Sequence, residues 1–481
     1  MRKSIVRTAA LSALSLALSA CMLGPDHVRP DVPTAERFAR AEATATAAAP
    51  ADLEFWRGFD DPVLIALVED ALRANHDLRI ALAQLDRADA LARGTRFDRL
   101  PTITAGGEAA DVRASADQAP AASRAQRDGE RYSASAVFGW ELDLFGRVRR
   151  GIEAGDAEAA AGASDLEAMQ VAVVGEVARI YVELRGLQER LRVARANADN
   201  QAETLRLVQA RLDAGRGTEF DSARARAQLA ATRARIPALE AQAATAMHRL
   251  AVLTGRTPDA LITTLEAARP LPAPPPALDP GTPGELLRRR PDVAAAEHRL
   301  HAATARIGVA TADLFPRFTL GGLIGSQAID ADALFERDSE TRLVALGVDW
   351  SFLDIGRVRA RIAASEAGAA EALARYEQTV LRALEDTENA LVTYARAREQ
   401  DAELQRAAED SARAAALARV RFDAGAADLL EVLDAERTRL QAEDALADAR
   451  TRSVVGAVTL YRALAGGWPQ RRPERRAVAA H

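Results

Sequence analysis

Arg419-Val-Arg-Phe-Asp-Ala-Gly425, continued by Ala426-Ala-Asp-Leu-Leu-Glu-Val-Leu-Asp434, reads as a long helix that stops at a glycine and reverses at once into another. The stretch has a twin, Gln209-Ala-Arg-Leu-Asp-Ala-Gly215, 210 residues earlier (425 − 215). Trp140-Glu-Leu-Asp-Leu-Phe-Gly-Arg147 answers to Trp350-Ser-Phe-Leu-Asp-Ile-Gly-Arg357 at the same offset (357 − 147). Two unrelated landmarks sharing one offset mark an internal duplication.

Composition limits what such a duplication can build. Of 481 residues, 48% are hydrophobic, mostly alanine, and only 4% are aromatic, so thin alanine-lined helical layers are expected rather than a thick core. The charged fraction of 27% nearly balances, at a net −6, which argues against a nucleic-acid partner. The single cysteine, Cys21, rules out an intrachain disulfide or a cysteine metal cluster.

Arg2, Lys3 and Arg7 precede an apolar stretch, Ala9 to Ala20, too short to span a bilayer, so residues 1–20 read as a signal peptide. Leu18-Ser-Ala-Cys21 resembles the lipobox of bacterial lipoproteins, which implies lipidation of Cys21. Met22, where an aspartate would signal retention in the inner membrane, favours the outer membrane by the same resemblance. A plain secretory signal with an incidental cysteine is the alternative. Nothing else reaches the ~18 apolar residues of a spanning helix. Any crossing of a membrane must therefore use strands.

Residues 21–60, rich in Pro, Ala and Thr, read as an extended linker. Asp61-Pro62 then opens a helix, as N-cap and first helical residue. Its 3- and 4-residue apolar spacing (Leu64, Leu67, Val68, Ala71, Leu72, Leu78, Leu82) runs to about Arg93, before Gly94 and Pro101. The period then changes. Tyr132, Ala134, Ala136, Phe138, Trp140 and Leu142 alternate with mostly polar residues, the mark of a strand at about 130–143. A weaker alternation at about 102–112 supplies its hairpin partner, with Arg113 to Gly129 as the loop. From Val148 to Asp213 the helical pattern runs 66 residues without proline, about 100 Å at ~1.5 Å per residue. After Gly215 a shorter helix spans about Glu219 to Leu253, with a kink expected at Pro237.

A proline-rich linker at 270–283 separates this first repeat, 61–269, from a second, 284–467. The second has a helix from Gly284 to Asp313 and strands at about 317–325 and 341–352, with Val344, Leu346, Val348, Trp350 and Phe352 on one face. A long helix from Arg357 to Asp423 and a shorter one to about Leu464 follow. The basic tail, 468–481, reads as disordered.

Two repeats give four strands with an apolar face. A sheet in lipid must close, because an open edge leaves backbone groups unsatisfied, and four strands cannot close around a lumen. Three copies would supply twelve (4 × 3), and their helices would form a second, α-helical barrel. The expected fold is mainly α with a membrane β-barrel completed in a homotrimer.

The chain resembles the outer-membrane factors of tripartite efflux systems, the TolC superfamily, in the lipoprotein branch of OprM and NodT. The matching residues span nearly the whole mature chain: Gly24-Pro-Asp26, Phe55-Trp-Arg-Gly-Phe-Asp-Asp-Pro62, Asn75-His-Asp-Leu78, Arg290-Pro-Asp-Val293, Ile307-Gly308, Phe315-Pro316 and both Asp-Ala-Gly turns. His27 departs from the tyrosine usual in the family. The resemblance implies a TolC-like trimeric duct in the outer membrane, docked on a periplasmic adaptor (membrane fusion) protein and an inner-membrane RND transporter, and passively passing small solutes outward.

No enzyme or metal constellation emerges, and no cofactor is expected. His298 and His301, one helical turn apart, read as a solvated helix face. The candidate site is the second turn: Leu430, Glu431 and Asp434 lie within one helical turn and share a face. By resemblance they would ring a closed periplasmic aperture; the alternative is coiled-coil packing of Leu430 beside solvated acids. The first repeat has Phe220, Asp221 and Arg224 at these places. The turns themselves (Arg211, Asp213, Gly215 and Arg421, Asp423, Gly425) would by resemblance be adaptor-docking tips; alternatively their glycines only cap helices. A pore-less secreted coiled-coil scaffold or adhesin lipoprotein is the rival function.

Overall fold

A computed structural model describes residues 22–40, 49–50, 54–274, 278–464 and 473–474. The expected signal peptide, Cys21 and nearly all of the basic tail lie outside the described residues. The chain divides into two compact units: Met1–Asp31, Leu85–Gly162 and Ala295–Glu377 form unit 1, and Val32–Gln84, Ala163–Ala294 and Gln378–His481 form unit 2.

The helices are α1 (Pro62–Ala74), α2 (His76–Phe97), α3 (Arg147–Asp213), α4 (Glu219–Arg233), α5 (Arg235–Leu253), α6 (Ile262–Leu265), α7 (Pro283–Arg289), α8 (Pro291–Ala312), α9 (Ile355–Asp423) and α10 (Leu429–Leu464). The strands are β1 (Ala49–Pro50), β2 (Thr102–Arg113), β3 (Asp128–Leu142), β4 (Leu278–Asp279), β5 (Arg317–Ala328) and β6 (Glu340–Asp349).

The two long helices, α3 with 67 residues and α9 with 69, are unbroken, as their proline-free sequences imply. Three expected single helices are each cut in two. Asn75 divides α1 from α2: its side chain accepts from Asp77 N (2.8 Å) and Leu78 N (3.1 Å), an N-cap inside a continuous apolar stripe. Gly94, expected to stop that helix, is tolerated within α2, which runs on to Phe97. Pro237 has no N–H for the Arg233 carbonyl, and the break falls at Ala234, between α4 and α5. Pro291 separates α7 from α8 by forcing Arg290 into an extended conformation (φ −72, ψ 122).

The segment read as an extended linker is not loose throughout. Phe55–Phe59 forms a 3-10 turn, and Phe55, Trp56 and Phe59 are buried. The Phe55 ring stacks on Tyr461 at 4.9 Å and meets Trp56 edge-on at 5.6 Å. These aromatics, with Tyr181 and the apolar face of α1, make the core of unit 2. Few as aromatics are in this chain, five of them gather in this one core. Asp61 caps α1 through Val63 N (2.8 Å) and also accepts from the Tyr181 hydroxyl at 2.6 Å. Burial, then this bond, pushes the Tyr181 phenol up to about 12.

In unit 1, β2-β3-β5-β6 form one antiparallel sheet. The register puts every apolar alternation on the same side: Ile103 opposes Phe138, Trp140 opposes Leu320, and Leu320 opposes Leu346. The other side is mostly polar, with Thr104, Glu108, Ser133, Ser135, Glu141, Thr319 and Gln327, and one apolar row, Val137, Leu323 and Leu343. The Trp350–Phe352 end of the expected last strand is not strand: β6 ends at Asp349, and a 3-10 turn at Phe352–Asp354 leads into α9. Trp350 still matches its twin. Its indole N–H donates to Leu314 O (3.0 Å), as that of Trp140 donates to Arg99 O (2.9 Å).

Candidate functional site

Both tips are closed by the same device. At Gly215 (φ +73) the glycine N–H donates to Leu212 O (2.9 Å) and Arg216 N–H to Arg211 O (2.8 Å). At Gly425 (φ +73) the pair is Gly425 N to Phe422 O (3.0 Å) and Ala426 N to Arg421 O (2.8 Å). This is the Schellman pattern, which needs a left-handed residue that a side chain would strain. The return helices start from local caps. Thr218 forms a capping box with Asp221, while Asp428 accepts from Glu431 N at 2.9 Å. The duplication therefore reproduces the reversal itself, bond for bond, although the capping residues differ.

The tips of the two repeats touch. The Arg211 guanidinium lies over the Phe422 ring, 4.4 Å from its centroid. Asp213 accepts from Gln209 Nε2 (3.1 Å), and Gln209 in turn accepts from Ser222 Oγ (2.9 Å). Arg211, Asp213 to Gly215, Arg421 and Asp423 to Gly425 are otherwise open to solvent or partly so.

Leu430, Glu431 and Asp434 share one exposed face of α10, opposite the buried Val432 and Leu433. Leu430 is 46% exposed in the chain, so much of its apolar surface is left uncovered by its own fold. Both acids have cationic partners in the structure. Glu431 Oε2 lies 3.2 Å from Arg421 Nη1, and Asp434 Oδ1 lies 2.5 Å from Arg437 Nη2. The Asp434-x-x-Arg437 spacing was a visible helical signal. The Arg421–Glu431 pair spans the turn and had none. Exposed pairs like these contribute ~0–1 kcal/mol each and exchange easily for other partners. In the first repeat, Phe220 is 70% exposed, and Asp221 is spent on the capping box.

The breaks before the long helices carry a second pair of twins. Asn75 Nδ2 donates to Leu253 O (2.8 Å) at the end of α5. Arg290, 215 residues on (290 − 75), bonds Asp292 through Nε (3.0 Å) and Nη2 (2.7 Å). Its Nη1 reaches Ala383 O (3.4 Å) and Ala463 O (3.5 Å) near the end of α10. Burial opposes its charge, but the bonds to Asp292 and the pull of Asp386 raise its pKa. His301, expected on a solvated face, stacks instead on His27 (4.6 Å between centroids) and meets Glu153 Oε1 at 2.8 Å. Among the described residues no group of three or more His, Cys, Asp or Glu is placed to hold a metal.

Comparison with known proteins shows the family. The family model of outer membrane efflux proteins matches twice, at residues 67–256 and 282–466. The chain is 33% identical to outer membrane protein OprJ of Pseudomonas aeruginosa over 98% of both chains. It is also 33% identical to the pyoverdine export outer membrane protein OpmQ of Pseudomonas putida, over 98% of this chain and 100% of the relative. Among solved structures, the outer-membrane channel OprN superposes with a TM-score of 0.88 at 42% identity, covering 93% of this chain and 100% of that one. The chain belongs to the outer membrane efflux protein family, whose members are efflux channels of the outer membrane.

Proposed function

We propose that this protein is the passive exit duct of a tripartite efflux pump, assembled from three copies. The observation that carries the reading is the sheet β2-β3-β5-β6, with an apolar and a polar face and an unpaired outer edge at β2 and at β6 among the described residues. Its strands of 10–15 residues are long enough for the ~9–11 of a membrane-spanning strand. In lipid these edges must be satisfied. A ring in which β6 of one copy pairs with β2 of the next closes after three copies into twelve strands, apolar outside and polar within. A pore-less scaffold would have no use for such a sheet.

The repeats, taken as 61–269 and 284–467, each contain one such tip. Arg211, Asp213, Gly215, Arg421, Asp423 and Gly425 are proposed to meet the helical hairpins of a periplasmic adaptor, which joins the duct to an inner-membrane RND transporter. Acylated Cys21 would anchor the chain in the outer membrane beside the barrel. Leu430, Glu431 and Asp434 would form an apolar and an acidic ring at the periplasmic aperture; their exposure in the single chain leaves them available for it. No step in this function needs an enzyme site.

Single-channel recording in planar bilayers tests the aperture. The double variant Glu431→Ala, Asp434→Ala is expected to conduct several-fold more than the wild type. Equal conductance would remove these residues from the gate.

A further inference from the structure

We propose that residues 22–31 form an acid-released strap, clasped to α3 and α8 within unit 1 by the stacked imidazoles of His27 and His301 and by the buried guanidinium of Arg150. The strap lies on the faces of α3 and α8. Leu23 N donates to Phe145 O (3.4 Å), and a Cβ built on Gly24 would stand 2.5 Å from the Gly308 Cα, so backbone meets backbone there. The Arg150 side chain, only 1% exposed, donates from Nε to Leu23 O (3.1 Å) and from Nη2 to Gly24 O (3.2 Å) and Asp26 Oδ1 (2.7 Å). Arg29 adds a bridge to Glu297 at 3.2 Å.

His27 is the titratable part of this clasp. Its ring lies nearly parallel to that of His301, and its Nε2 is buried without an acceptor. A proton added there would gain no hydrogen bond and would place a cation against a second imidazole. Every charged neighbour enters the balance. From α3 come Arg150 and Glu153, from α8 Glu297, His298 and His301, and from the strap Asp26 and Arg29. Burial and then His301 hold the His27 pKa down; Glu297 and Glu153 oppose them without prevailing. A histidine whose docked pKa is depressed binds its proton more readily when released. The clasp is therefore whole above the free imidazole value of ~6.5 and weakens as pH falls through it toward the docked pKa. The limit is about a tenfold gain in opening for each unit of depression. Arg150 keeps its charge throughout, so the strap loosens at the imidazoles first.

Hydrogen exchange followed by mass spectrometry, on the full chain in detergent and corrected for the intrinsic rate at each pH, reads the opening directly. Exchange in residues 22–31 is expected to speed up several-fold between pH 7.5 and pH 5.5. His27→Phe keeps a ring to stack but cannot titrate, and its strap is expected to stay protected at both values. Three outcomes would overturn the proposal. The wild-type strap could exchange equally at both pH values. The His27→Phe strap could open with acid as the wild type does. Or peptides of β3 and β5 could loosen in step with the strap, making the effect general.

Discussion

Replacing Arg290 with alanine is expected to destabilise the fold by about 1–3 kcal/mol, the range for leaving buried hydrogen-bonding groups without their partner. The Arg290 side chain is only 13% exposed and holds Asp292 through two bonds, with Asp386, Ala383 O and Ala463 O completing its shell. Alanine would leave Asp292 without its cation and the end of α10 without its tie to the start of the second repeat. Lysine is expected to recover little, because a single ammonium cannot reproduce the planar fork. The denaturation midpoint of the solubilised protein, by circular dichroism, measures the loss. A shift below ~1 kcal/mol would mean that Arg290 is not holding this junction.

Gly322→Val is expected to prevent stable assembly of the barrel. A Cβ at this position would lie 2.3 Å from Phe138 Cε1 and 2.7 Å from Leu343 O, so both the ring and the neighbouring strand must move. Overpacking of this kind costs ~1–3 kcal/mol per site, and in a ring of three it is paid three times along the sheet that closes the barrel. Phe138 covers a glycine on the adjacent strand, an arrangement that pins the β3–β5 register. Semi-denaturing electrophoresis of extracted protein is expected to show the oligomer lost in this variant. An oligomer as resistant as the wild type would show that the ring can leave its place at no cost.

Much of the fold was legible because its signals are local or periodic. The offset of 210 exposed the duplication, and the switch from a 3.6 to a 2.0 period in Tyr132 to Leu142 located a strand before any pairing was known. What escaped was set by contacts distant in sequence. Asn75 sits within an unbroken apolar stripe, and its side chain not only caps α2 but also reaches Leu253 O, 178 residues away, a tie that the local pattern does not announce. Phe55 reads as linker because its partner Tyr461 lies some 400 residues on. At the candidate aperture, the shared face of Leu430, Glu431 and Asp434 followed from helical spacing. The Arg421–Glu431 pair did not, since it depends on how tightly the chain reverses at Gly425. His301 looked solvated because nothing local tells of a strap arriving from His27.

A four-stranded sheet whose two edges are unpaired among the described residues requires other copies of the chain in lipid, and the number of copies is the most direct point on which the duct stands or falls. Native mass spectrometry of the protein extracted from outer membranes in mild detergent counts them. Three chains per particle, each near 51.4 kDa before processing and acylation, is the expected result. A stable monomer or dimer would contradict a closed twelve-stranded barrel and the exit duct built on it.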